Sequence, residues 1–102
     1  RYFVQMIKTI EMFTRWLATE KGYSEHTVSG YQRDLREFHN HISEQGRREK
    51  SGTNASPGAI TPAQVRKFIV SLHGHNSAAT VARKISTLRS FFRFGQRHNL
   101  LQ

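Results

Sequence analysis

Two stretches of the chain, SEHTVSGYQR from Ser24 and SAATVARK from Ser77, set small, hydroxylated and basic residues at what read as helix starts. Such a combination suits a phosphate backbone. A helix amino terminus offers unpaired N–H groups and a partial positive charge, Ser and Thr hydroxyls reach phosphate oxygens at short range, and Arg supplies a forked donor for phosphate or guanine. Taken singly, each of these residues is an ordinary exposed helix residue. Other candidate chemistry is weaker. His39-Asn40-His41 lacks the ligands that surround such a tripeptide in a nuclease and reads as a surface pair. His73-Gly74-His75 has no cysteine or nearby carboxylate to complete a metal shell and reads as a helix end. No glycine-rich phosphate loop is present. Neither a metal nor a cofactor is expected.

The elements that position these residues follow from apolar spacing, which recurs at three and four residues and almost never alternates. Four helices are predicted, at about 4–21, 25–45, 62–73 and 78–97, in one compact all-α domain of two helical hairpins packed across each other. The first carries Ile7, Ile10, Phe13 and Leu17 on one stripe, flanked by Trp16, and ends at Gly22. Ser24 caps the second, which faces Val28, Tyr31, Leu35, Phe38 and Ile42 inward and closes at Gly46. In the third, Thr61, Pro62 and Gln64 form a capping box with proline at the first position, and Val65, Phe68, Ile69 and Leu72 face inward before Gly74. Ser77 opens the fourth, with Val81, Ile85, Leu88, Phe91 and Phe92 inward and a bend or fray expected at Gly95. Residues 46–60, rich in Gly, Ser, Asn and Pro, are expected to form a mobile loop with Arg47, Arg48 and Lys50 solvated.

Since successive helical residues advance about 100°, the outward faces follow from the inward stripes. On the second helix they are His26, Ser29, Arg33 and Glu37, flanked by Gly30, Arg36 and Thr27; on the fourth, Ala79, Arg83, Ser86 and Ser90, flanked by Thr80, Lys84, Thr87 and Arg93. The two helix starts are expected side by side on one surface. Arg33 and Arg83 are expected free of structural contacts, so that replacing both leaves thermal stability nearly unchanged.

Composition narrows the partner. The 102 residues carry a formal charge of +9, and all seven acidic residues lie at or before Glu49, leaving Arg66, Lys67, Arg83, Lys84, Arg89, Arg93 and Arg97 without a carboxylate in their half. An anionic partner is implied, nucleic acid before an acidic membrane surface. There is no cysteine, which fits a reducing compartment, and no apolar run approaches the roughly 20 residues that span a bilayer. A cytoplasmic location is expected, and the chain reads as a possible fragment of a longer one.

GYSEHTVSGYQRDLREF resembles the S-x-x-T-x-x-x-Y-x-x-D-L signature of the second helix in the amino-terminal, SAM-like core-binding domain of tyrosine recombinases and phage integrases, the Xer-like group included. SAATVARKISTLRSFFRFGQRHNLL is similar to that family's last helix, and ITPAQVRKFIVSLH to its third. The resemblance covers roughly residues 10–102. It implies a SAM-like bundle that clamps one side of double-stranded DNA at the core recombination site, its second and fourth helices against the major groove, while a carboxy-terminal catalytic domain of the parent closes the other side. Carried over by position, it makes Ser24, Thr27, Ser29, Ser77, Thr80 and Arg83 contacts; His26, Arg33 and Lys84 come from the outward faces. The parent is expected to assemble as a tetramer on DNA, and this chain alone to be a monomer. Before the third helix, SGTNASPG departs from the family pattern, either lengthening a surface loop or adding phosphate contacts through Arg47, Arg48 and Lys50. The family's catalytic H-x-x-R is absent, since none of the six histidines has Arg three residues later. The chain is therefore expected to be catalytically inert. The alternative is a SAM-like protein-interaction domain docking an acidic partner.

Overall fold

The computed structural model describes residues 2–48 and 60–100, and it is all-α. Helices α1 (Tyr2–Thr19), α2 (Glu25–Arg48), α3 (Pro62–His73) and α4 (Ala78–Arg97) follow in order. Among the described residues, α2 and α4 each pack against every other helix, whereas α1 and α3 do not touch. Thus α2 and α4 form the shared wall of the two hairpins.

Local chemistry sets most of the boundaries. Gly22 adopts φ +69°, and this left-handed residue lets the Tyr23 N–H donate back to the Leu17 carbonyl at 3.0 Å, closing α1. Ser24 caps α2 by accepting from the Thr27 N–H at 3.2 Å, and Ser77 caps α4 by accepting from the Thr80 N–H at 3.2 Å. For α3 the box is complete: the Gln64 N–H donates to Thr61 Oγ1 at 3.2 Å, and the Thr61 N–H donates to Gln64 Oε1 at 2.9 Å. Gly74 follows as its C-cap, and α4 ends with Asn99 at φ 58° and the Leu100 N–H donating to the Gly95 carbonyl at 2.7 Å.

Phe13 anchors the core. Its ring meets Trp16, Tyr31, Phe91 and Phe94 with centroids 5.3–6.1 Å apart, so residues from α1, α2 and α4 converge on one side chain. A second aromatic contact joins α2, α3 and α4, where Phe38 meets Phe68 at 5.1 Å and Phe92 at 5.8 Å, both edge-on. Met6, Ile10, Leu17, Leu35, Ile42, Leu72, Val81 and Leu88 fill the remainder.

Several expectations need correcting. Ile7 is 44% exposed and Met6 is buried in its place. At 100° per residue Ile7 lies about 120° from Phe13, whereas Met6 lies about 20° from it, so the stripe runs 6, 10, 13, 17. Gly46 does not close α2, which continues to Arg48; a helical glycine costs only about 1 kcal/mol, too little to force a stop. Nor does Gly95 break α4, where it is buried and continuous with the helix. His39 and His41 are half-buried rather than a surface pair, with the His41 ring edge-on to Phe68 at 5.2 Å. From residue 49 to 59 the expected loop lies outside the described residues, as does Lys50. No helix among those described is long and apolar enough to cross a membrane.

Two substitutions gauge this framework by urea unfolding. Phe13→Ala is expected to cost about 3–5 kcal/mol, since it empties the site where three helices meet. Ser77→Ala is expected to cost about 1 kcal/mol, the loss of one cap. A Phe13→Ala cost below that of the cap variant would contradict the placement of the core.

Candidate nucleic-acid interface

On α2, Tyr31, Leu35 and Phe38 must face the core, and Asp34 falls at the same helical phase, three residues after Tyr31 and four before Phe38. The carboxylate is carried inward and left only 5% exposed. A buried charge is strongly unfavourable unless donors meet it. Both donors come from α4. Arg83 Nη1 donates to Asp34 Oδ2 in an ion pair, and Thr87 Oγ1, one turn further on, lies 3.2 Å from the same oxygen. The Thr87 hydroxyl is also 3.2 Å from the Arg83 carbonyl, so its single proton serves one acceptor or the other.

A second clasp lies beside the first. Lys84 Nζ donates to Glu37 Oε1 at 2.7 Å and reaches Asn76 Oδ1 at 3.4 Å, leaving its side chain only 12% exposed. Together the two clasps fix where α2 and α4 meet. The junction runs through Asp34, Glu37, Arg83, Lys84 and Thr87, about 15 Å along α2 from the cap at Ser24. The helices are tied two or three turns inside their starts.

Around the first clasp the two helices enclose an open groove of about 420 Å³ lined by His26, Thr27, Gly30, Tyr31, Arg33, Asp34, Arg83, Ser86 and Thr87. Four of the expected contact residues share it: His26, Thr27 and Arg33 from α2, and Arg83 from α4. Ser29 lies instead on the neighbouring surface with Gln32, Arg36 and Asn40. Ser24 and Ser77 are engaged as caps, and each donates its hydroxyl proton to the threonine three residues on, at 3.0 Å to Thr27 and 3.1 Å to Thr80. With that proton supplied, each threonine hydroxyl keeps its own to donate. Tyr31 also lines the groove, but burial, and then the neighbouring Tyr23 phenol, push its phenol above the ordinary range. At neutral pH the phenol is protonated.

Residues 10–99 match the family described as phage integrase, N-terminal SAM-like domain. The chain belongs to this family. It is 38% identical over 90 residues to a tyrosine recombinase XerC of Listeria innocua, covering 87% of this chain and 28% of the relative. With the XerC of Alcanivorax borkumensis it shares 36% over 95 residues, 92% of this chain and 28% of the relative. With a tyrosine recombinase XerD of Chlorobaculum tepidum it shares 34% over 88 residues, 85% of this chain and 26% of the relative. The chain thus spans just over a quarter of these relatives' length. No solved structure gives a significant match.

Two polar residues of this SAM-like domain escaped the outward-face reading: Asp34, and Thr87, which is buried rather than at the side of an exposed face. For Asp34 the signal was its phase on the inward stripe. Arg83 and Lys84, expected to be free, are both ion-paired, while Arg33 is exposed and makes no ion pair among the described residues. The two arginines should separate in stability. Arg83→Ala is expected to cost about 1–3 kcal/mol by stranding a buried carboxylate, and Arg33→Ala to stay within about 0.5 kcal/mol. Thermal melts check this, and equal effects would contradict the clasp.

Proposed function

We propose that this chain is the DNA-binding amino-terminal domain of a tyrosine recombinase, clamping duplex DNA at the core site during integration or site-specific recombination. The observation that carries the reading is the groove, in which side chains from α2 and α4 share one surface with Arg33 exposed and without an ion pair among the described residues. A chain of +9 supplies the long-range attraction, and the groove supplies the contact. Thr27 and Thr80 offer hydroxyl protons to phosphate oxygens, Ser29 extends the contact along α2, and His26 lies on the groove wall.

The cleaving residues belong to a catalytic domain further along the parent chain. Nucleophilic attack of a tyrosine on phosphate needs Arg, Lys and His donors around the developing charge. Tyr31 as a packed phenol, and the absence of any histidine with Arg three residues later, support a chain that holds DNA while another domain cuts it. The parent works on DNA in the cytoplasm as a tetramer spanning two sites, with this domain contributing one face of each clamp.

Fluorescence anisotropy of a labelled duplex at several salt concentrations tests the reading. With four to six phosphates contacted, log affinity is expected to fall with log salt at a slope of about −4 to −5. Absence of binding at low salt would falsify it.

A further inference from the structure

Of the two arginines in the groove, only one carries its charge freely. Arg33 stands exposed without an ion pair among the described residues, as suits a phosphate contact. Arg83 is different: its side chain is 51% exposed, yet one end of its guanidinium is tied to a carboxylate that is 5% exposed. A carboxylate beside an arginine offsets its attraction for phosphate. What the pair gains is orientation. The tie takes one of the five N–H donors and restricts where the fork can sit, and Arg83 lines the groove with four donors left over. From one turn along α4 the Thr87 hydroxyl braces the anchor when it gives its proton to the same carboxylate oxygen rather than to the Arg83 carbonyl. Contact with a phosphate needs charge and tolerates a range of angles. Contact with O6 and N7 of guanine needs a planar fork at a fixed angle.

On the reading that this face binds DNA, we infer that Asp34 is a positioning residue that holds Arg83 to read a guanine edge, while Arg33 beside it neutralises phosphate. Arg83 is then a determinant of sequence preference, and Asp34 acts through it without touching DNA. Lys84, held by Glu37 and Asn76, takes no part in base reading.

The test selects duplexes from a randomised pool with the wild-type chain, Arg83→Lys and Asp34→Asn, after melting curves establish that each variant is folded. Lysine keeps the charge and the partner but loses the fork; asparagine keeps an acceptor but loses the charge that holds the arginine. The wild type is expected to enrich duplexes with guanine at a fixed position. Arg83→Lys is expected to bind the enriched duplex about 5- to 140-fold more weakly, to lose much less on a scrambled duplex, and to keep the salt slope. Asp34→Asn is expected to lower the same preference while binding the scrambled duplex at least as well as wild type, since one negative charge has left the groove. A purely structural role for Asp34 would instead weaken both duplexes alike. Three results overturn the inference: guanine preference kept by Arg83→Lys, equal loss on both duplexes with a shallower salt slope, or wild-type binding without sequence preference. Failure of the wild type to bind any duplex removes the DNA reading itself, and is thereby distinguished from these three.

Discussion

A carboxylate enclosed between two helices has to be met by donors from the opposite helix, and that requirement sets how α2 and α4 lie on each other. Asp34 meets Arg83 and Thr87 across sequence separations of 49 and 53 residues, so the contact ties the first hairpin to the second. The apolar core alone would hold the hairpins together with less constraint on their relative rotation, because hydrophobic attraction has no direction. An ion pair with one buried partner does have a direction. Around it the groove takes its shape: α2 supplies one wall, α4 the other, and the clasp forms part of the lining.

The residues that appeared to be one class, hydroxylated and basic near the helix starts, divide into three by what they touch. Ser24 and Ser77 hold backbone N–H groups and define where the helices begin. Arg83, Lys84 and Thr87 hold the hairpins together through Asp34 and Glu37. His26, Thr27 and Arg33 line the groove with no ion pair to occupy them among the described residues. Framework and contact surface share the same turns of helix. A substitution on this face therefore cannot be read as a binding effect until its stability cost is known.

Much of the fold was legible because cap chemistry is local. T-x-x-Q with proline marked α3, and Ser77 marked α4, at the positions where those helices begin. Where a signal depended on competition, the sequence misled: Gly46 is a weak stop inside a strongly amphipathic helix, and Ile7 is apolar but at the wrong phase. The groove was only half legible. Its outward residues followed from 100° arithmetic, but the arithmetic treats polar residues as solvated and so read Thr87 and Arg83 as free of contacts within the protein. Their partner lies in another hairpin, and no local pattern reports a pairing that distant. Family resemblance supplied Y-x-x-D-L without the reason for its aspartate; the buried carboxylate supplies one here.

The groove braced by Asp34 and Arg83 is proposed as the surface that meets DNA. Amide chemical-shift mapping during titration with a duplex, at salt low enough for binding, tests it most directly. The largest shifts are expected at Thr27, Gly30, Arg33, Arg83 and Ser86, and small ones at Arg66, Val70 and His73 on α3. Shifts concentrated on α3, or spread evenly over every basic residue, would contradict it.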